Sequence, residues 1–226
     1  MAQLEAVQIP ISHGALEGLM RRPDALAPDA APDAAPDAAP TRAPGLAALV
    51  CHPHPLGGGT MHNKVVFRVA QALGELGLPV LRFNFRGVGR SSGTYDEGRG
   101  ERDDVRAALD WLAAAYPDRA LCLAGFSFGA WVGLPVGAAD PRVRQLIGVG
   151  VPVASLAVDA LADCRIPKLI VQGERDQYGP PDALRAWFAA LPAPKHLTLI
   201  PQADHFFTAH QAELRAAVLD YFREDA

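Results

Sequence analysis

The sequence predicts an α/β protein with a largely parallel sheet that is covered by helices on both faces. Short apolar segments alternate along the chain with segments of helical periodicity, which is typical of repeated strand–helix–strand units. A segment such as 120–126 is apolar almost throughout, as in strands buried on both faces. The chain has 226 residues, of which 50% are hydrophobic, so it can bury a substantial core.

The first two elements differ from this parallel pattern. Residues 4–10 and 15–21 predict a hairpin with Gly14 near its turn, which would form an antiparallel edge of the sheet. Residues 28–39 repeat Pro-Asp-Ala-Ala three times, and a proline at every fourth position excludes the interior of a helix. We therefore expect a single domain over residues 1–226, with residues 24–45 inserted as a surface loop rich in Pro, Ala and Asp.

The remaining elements alternate between strands and helices and bring the expected total to about eight strands. The predicted strands are 46–50, 79–85, 120–126, 143–151, 168–172 and 197–200. The predicted helices are 61–76, 103–116, 128–138, 181–191 and 206–222. Residues 154–167 leave room for one short helix around 154–162, so we expect no cap domain above the sheet.

The segment Gly125-Phe126-Ser127-Phe128-Gly129 has the pattern Gly-x-Ser-x-Gly and joins a predicted strand to a predicted helix. This context is the one in which the pattern forms a tight turn that exposes a nucleophilic serine at the carboxyl edge of a sheet. The two glycines relieve clashes between the strand and the helix. The amide of Phe128 would lie at a helix N-terminus, where it can stabilise an oxyanion. Ser127 is therefore the candidate nucleophile.

A serine hydroxyl needs a base, and the base needs an orienting acid. Asp176 follows the predicted strand 168–172, and His205 follows the strand 197–200. The order Ser127, Asp176, His205 is the chain order of one known class of catalytic triad. Three other acids compete for the acid role, but they lie too near a strand end, in the first turn of a helix, or beside the histidine. They are Glu174, Asp182 and Asp204.

The loop after the third strand is expected to supply a second oxyanion donor. Pro53 and Pro55 have no N–H group, so Leu56 is the preferred donor and Gly57 is the alternative. His52 and His54 flank Pro53 but lack further ligands at metal-binding spacing. We expect these two histidines to shape the loop, and we expect no metal.

Several apolar residues beyond the strand ends could line an acyl pocket, and Tyr178 and Phe206 are the candidates for substrate binding. The full set is Leu56, Phe128, Tyr178, Phe206 and Phe207. The glycine-rich run at 87–93 does not have the spacing of a dinucleotide-binding loop, and no acidic residue ends a strand about 20 residues later. We expect a structural turn anchored by Arg86, and no cofactor.

Together these segments resemble the α/β-hydrolase fold superfamily, in particular small lidless bacterial hydrolases related to dienelactone hydrolases. The resemblance covers nearly all of the chain outside the Pro-Asp-Ala-Ala segment and is carried by residues 52–58, 82–91, 125–129, 173–176 and 204–205. It implies that Ser127 is the nucleophile, His205 the base and Asp176 the acid. Dienelactone hydrolases themselves carry a cysteine nucleophile, so their substrate is not implied here.

The composition of the chain bears on its cellular compartment and on the kinds of partner that it can bind. A net charge of −4 argues against a general nucleic-acid binder. No apolar run approaches the ~18 residues of a membrane helix, and Met1–Glu5 does not resemble the start of a signal peptide. Three widely spaced cysteines favour a reducing compartment. We expect a cytoplasmic monomer or homodimer with a small-molecule substrate and no nucleic-acid or membrane partner.

The combined expectation is a serine hydrolase that cleaves a carboxylic ester or thioester through an acyl-enzyme. An amidase, a peptidase or a cofactor-free perhydrolase would use the same three residues, so these alternatives stay open. A ligand receptor that retains the fold without catalysis is an alternative of a different class.

Overall fold

The computed structural model describes residues 3–23, 45–154 and 161–223. Eight strands form one sheet in the order β1-β2-β4-β3-β5-β6-β7-β8. They span Leu4–Ile11 (β1), Gly14–Arg21 (β2), Leu46–Cys51 (β3), Val80–Phe83 (β4), Ala120–Phe126 (β5), Val143–Val149 (β6), Lys168–Gly173 (β7) and Lys195–Ile200 (β8). The α/β class and the strand number predicted from the sequence are confirmed.

In the described part of the chain, five α-helices cover the two faces of the sheet. They span Lys64–Glu75 (α1), Arg99–Ala115 (α2), Phe128–Ala139 (α3), Pro181–Ala190 (α4) and Gln211–Arg223 (α5). Helices α1 and α5 pack in one apolar cluster, and α2, α3 and α4 pack in a second cluster. The parallel strands between the clusters are buried on both faces, which explains their nearly continuous apolar sequences.

The direction of the strands brings the functional loops to one edge of the sheet. The β1–β2 hairpin is antiparallel and pairs antiparallel with β4, as predicted for the opening hairpin. All other pairings are parallel. The loops that follow β3, β5, β6, β7 and β8 therefore emerge at the same edge.

The starts of three helices differ from the predicted ones. Helix α1 begins at Lys64 and not at residue 61, because the side chain of Asn63 caps it there. Helix α2 begins at Arg99 and not at residue 103, because the Glu101 carboxylate accepts the backbone amides of Asp96 (2.8 Å) and Gly98 (2.7 Å) and caps an earlier turn. Helix α5 begins at Gln211 and not at residue 206. Phe207 and Ala209 have positive φ angles of 53° and 60°, so residues 206–210 form turns.

Glu17 connects the edge hairpin to the loop that follows β4. Its carboxylate accepts the Asn84 side-chain amide (2.9 Å) and the backbone amide of Arg90 (3.0 Å). The Arg90 amide is the largest cause that lowers the pKa of the Glu17 carboxyl. The Oδ1 atom of Asn84 in turn accepts the amide of Met61 (2.8 Å). One chain of hydrogen bonds thus runs from the hairpin to the loop after β3.

The glycine-rich run at 87–93 is a turn that Arg86 anchors. The guanidinium of Arg86 binds both carboxylate oxygens of Asp104, with the closest N–O distance at 2.8 Å, and the backbone amide of Arg86 binds the same carboxylate. Asp104 is completely buried on α2, so this charge-assisted contact fixes the turn against the helix layer.

Two predicted segments lie outside the described residues. They are the loop at 24–45, apart from Gly45, and most of the short helix at 154–162. Residues 150–167 join β6 to β7, and a connection of this length is too short for a separate cap domain. Within the described ranges, none of the helices has the length and apolar character needed to cross a membrane.

Candidate active site

Ser127 occupies a sharp turn between β5 and α3, as the Gly-x-Ser-x-Gly pattern predicts. Its backbone angles are φ 55° and ψ −117°, a strained conformation for a residue with a side chain. A Cβ atom on Gly125 would clash with the backbone of Gly129, and one on Gly129 would clash with the backbone of Cys51. The two glycines therefore allow α3 to start directly against β5 and β3, with Ser127 at the edge of the sheet.

The three residues predicted to form a triad lie in hydrogen-bond contact. The Nε2 atom of His205 is 2.9 Å from the Oγ atom of Ser127, and its Nδ1 atom is 2.7 Å from the Oδ2 atom of Asp176. Because the carboxylate only accepts, Nδ1 carries the proton and Nε2 is left to accept the serine O–H. This is the tautomer that a general base for Ser127 requires.

The Asp176 carboxylate is fixed by three further donors. The amides of Tyr178 (2.8 Å) and Gly179 (3.3 Å) donate to its Oδ1 atom. The side-chain amide of Gln172 donates to its Oδ2 atom (2.8 Å). Asp176 is only 2% exposed, so these bonds replace the water that a charged carboxylate would otherwise bind.

Gln172 is a positioning residue that the sequence analysis missed. It is completely buried at the end of β7, and its Oε1 atom accepts the amide of Val151 (2.8 Å) beyond β6. Its side chain therefore holds Asp176 and the end of the neighbouring strand in one arrangement. The sequence signal was a glutamine directly after the apolar run Leu169–Val171, a position where burial demands a complete set of partners.

Two of the three competing acids accept hydrogen bonds from other residues, and the third is exposed to solvent. Glu174 accepts the backbone amide of Gln202 at 3.4 Å, and Asp204 accepts the amide of Thr208 at 2.8 Å. Asp182 is exposed in the first turn of α4. Among the acids that follow β7 and β8, Asp176 is the one hydrogen-bonded to His205 in the described part of the chain.

His52 shapes the loop after β3, as expected. It is completely buried, its Nδ1 atom donates to the carbonyl of Pro53 (2.6 Å), and its Nε2 atom accepts the amide of Phe85 (3.0 Å). Burial lowers the pKa of His52 to about 4, so the ring is neutral at neutral pH. This ring joins the loop after β3 to the loop after β4.

The prediction that Leu56 donates to the oxyanion is not supported by its surroundings. Residues Pro55–Gly57 form a single 3₁₀ turn in which the Leu56 amide donates to Nδ1 of His54 (3.2 Å). The side chain of Leu56 is 74% exposed and does not line the reaction cavity. The alternative, Gly57, donates its amide to the carbonyl of His54 (3.0 Å). Both amides are therefore already bound within the turn.

In the described part of the chain, the amide of His54 is an unpaired donor in the same loop. His54 lines the same cavity as Ser127 and Phe128, and its ring centroid lies 5.0 Å from that of Phe128. Within the described ranges, neither the His54 amide nor the Phe128 amide donates to a protein acceptor. His54 was not predicted as a donor because it lies between the two prolines, and the prediction was limited to residues that follow them.

The cavity above Ser127 has a volume of about 410 Å³ and is open to solvent. Tyr178 and Phe206, the predicted substrate-binding residues, line it and pack their rings 4.6 and 5.2 Å from the His205 ring. Phe128 also lines it. Phe207 is a correction, because its side chain is completely buried in the core and does not line the cavity.

Comparisons with known proteins agree with this architecture. An alpha/beta hydrolase domain family model matches residues 47–217. An uncharacterized protein of Rickettsia prowazekii is 39% identical over 183 residues, which cover 77% of each chain.

Two solved structures are also similar. One is an α/β serine hydrolase without a lid from Xanthomonas campestris, with 37% identity, a TM-score of 0.83 and coverage of 98% of this chain and 94% of the other. The second is an alpha-beta serine hydrolase homologue from Coxiella burnetii, with 37% identity, a TM-score of 0.81 and coverage of 96% of each chain. The family match spans the turn of Ser127 and the loops of Asp176 and His205, and we conclude that the chain belongs to the alpha/beta hydrolase domain family.

Proposed function

We propose that the protein is a serine hydrolase that cleaves carboxylic esters or thioesters through an acyl-enzyme. The observation that carries the proposal is the continuous hydrogen-bonded row Ser127–His205–Asp176 at the floor of an open cavity. The similar structures that are described as serine hydrolases support the same reaction class. The substrate is a small molecule, and the chemistry needs no cofactor or metal.

In the first half-reaction, the Oγ atom of Ser127 attacks the substrate carbonyl carbon while Nε2 of His205 takes the serine proton. Asp176 holds the imidazole in place and stabilises its positive charge. The carbonyl oxygen becomes an oxyanion, which accepts hydrogen bonds from the amides of Phe128 and His54. The tetrahedral intermediate then expels the alcohol or thiol, which receives the proton from His205.

In the second half-reaction, a water molecule gives a proton to Nε2 of His205 and attacks the acyl carbon. The bond to Ser127 breaks, the serine oxygen recovers the proton from His205, and the carboxylic acid leaves. The connection 150–167 is too short for a cap domain, and the cavity formed by the described residues is open to solvent, so water can reach the acyl-enzyme. An open cavity of this size suits short or protruding acyl groups.

Covalent labelling tests this function. A fluorophosphonate probe reacts with a serine only when a base activates it, so we expect one equivalent bound at Ser127 by peptide mass mapping. The exposed Ser12→Ala variant should label fully, while Ser127→Ala should not label. Absence of label together with absence of hydrolysis of short 4-nitrophenyl esters and thioesters would favour a non-catalytic ligand receptor.

A matched pair of variants tests whether the backbone N–H group of His54 stabilises the oxyanion. The φ of −52° and ψ of 122° at His54 suit a proline followed by another proline, so His54→Pro removes the N–H group with little backbone change. His54→Ala removes the same ring but keeps the amide. We expect kcat of the proline variant to be roughly 10²- to 10³-fold below that of the alanine variant. Steady-state kinetics with a 4-nitrophenyl ester would measure this difference.

Thermal unfolding provides the control for this pair, since the comparison requires both variants to be folded at the assay temperature. Equal kcat values in two folded variants would show that the His54 amide does not stabilise the transition state.

A further inference from the structure

A second cavity adjoins the reaction cavity on the side of α1. Its volume is about 460 Å³, and it shares Asn63 and Phe206 with the cavity above Ser127. The two shared residues form the partition between the cavities. A distal group of a substrate bound at Ser127 has only these two side chains to pass before it reaches the second cavity.

The side chains around this second cavity are rich in hydrogen-bond donors and include no carboxylate. Its lining consists of Thr60, His62, Asn63, Lys64, Val65, Phe206, Thr208, Ala209 and Gln211. Lys64 contributes a full positive charge, in a protein whose formal net charge is −4. In the residues described by the structure, Lys64 forms no ion pair, whereas seven of the arginines do.

Asn63 adds a second donor beside this charge. Its Oδ1 atom caps α1 by accepting the amide of Val65 at 2.9 Å, which fixes the orientation of the side chain. The Nδ2 group has no acceptor within the described ranges. A carboxylate has two oxygens that can accept from one amide and one ammonium group on neighbouring residues. A cationic group would meet Lys64 in a cavity whose lining contains no carboxylate, since the adjacent Asp204 carboxylate accepts the backbone amide of Thr208.

We propose that this second cavity binds a carboxylate carried by the acyl group or the leaving group of the substrate, with Lys64 and Asn63 as the donors. The inference rests on the proposed ester or thioester hydrolysis and narrows its substrate class to esters that carry a distal negative charge. Lys64 and Asn63 then determine specificity, while Ser127, His205 and Asp176 carry out bond cleavage.

The test uses esters matched in shape. The 4-nitrophenyl monoester of adipic acid differs from 4-nitrophenyl hexanoate only by a terminal carboxylate in place of a methyl group, and 4-acetoxybenzoate and its methyl ester make the same comparison on the leaving-group side. We expect wild-type protein to show higher kcat/KM for the charged ester in at least one pair. Lys64→Gln should lower this charged-to-neutral ratio about fivefold, as loss of one partly solvated ion pair implies.

Arg68→Gln is the matched control, because it removes the same charge from α1 at a position outside the cavity lining. It should leave the charged-to-neutral ratio as in the wild type. An equal ratio in wild type, Lys64→Gln and Arg68→Gln for both ester pairs would overturn the proposal.

Calorimetric binding of the same esters to Ser127→Ala separates this inference from the proposed function. Tighter binding of the charged ester that depends on Lys64, without Ser127-dependent turnover in the parent protein, would support the carboxylate site and refute the hydrolase. Ser127-dependent turnover without any effect of Lys64 would support the hydrolase and refute the site.

Discussion

Replacing Ser127 with alanine is expected to lower kcat/KM for a 4-nitrophenyl ester by about 10⁴- to 10⁶-fold. The substitution removes the attacking oxygen but leaves both proposed oxyanion amides and the cavity in place. Alanine also keeps the Cβ atom, so the strained backbone at φ 55° is retained and the free energy of unfolding should change little. The measurement is steady-state hydrolysis with parallel thermal unfolding.

A decrease in kcat/KM of less than tenfold in a folded Ser127→Ala protein would contradict the mechanism. Such a result would indicate that a water molecule activated by His205, and not an acyl-enzyme, attacks the ester.

Asp176→Asn is expected to lower kcat by about 10⁴-fold. The amides of Tyr178 and Gly179 both donate to the Oδ1 position, so the carbonyl oxygen of an asparagine must lie there. Its NH₂ group would then point towards His205 and force Nδ1 to accept. The imidazole would carry its proton on Nε2, facing Ser127, and could not act as a base.

Asp182→Asn provides the control for this variant, because it makes the same chemical change at an exposed position in the first turn of α4. Its kcat should match that of the parent protein. Asp176→Asn should also lower the melting temperature, because its NH₂ group would face the Gln172 side-chain amide, which donates to Oδ2 in the parent protein. The kcat values are therefore compared at a temperature where both variants are folded. A kcat of Asp176→Asn close to that of Asp182→Asn would contradict the assigned role of the carboxylate.

The arrangement of the triad could be predicted from the sequence because it follows from topology. Parallel strands end at one edge of a sheet, so residues placed just beyond three such strands must lie near one another. Ser127, Asp176 and His205 are far apart in sequence, yet each directly follows a strand or the short turn after it. The alternation of apolar strands and helices was sufficient to predict this convergence.

The oxyanion donor was harder to predict because it depends on which amides are already engaged. Leu56 has an N–H group, but the 3₁₀ turn at Pro55–Gly57 directs it to the ring of His54. A sequence pattern shows which residues possess a donor and not which donors remain unpaired. The start of α5 was misplaced for a related reason, since Phe206 and Phe207 fit an apolar helical pattern while the backbone at Phe207 turns left-handed.

The bonds of Glu17 have a practical consequence for the choice of expression boundaries. The family model matches from residue 47 onward, so a fragment trimmed to that match would omit the β1–β2 hairpin. The side chains of Asn84 and Arg90 would lose their shared carboxylate, and the edge of β4 would lose its neighbour. Because Asn84 also supports the amide of Met61, the truncation would loosen the wall of the reaction cavity as well as expose a sheet edge prone to aggregation.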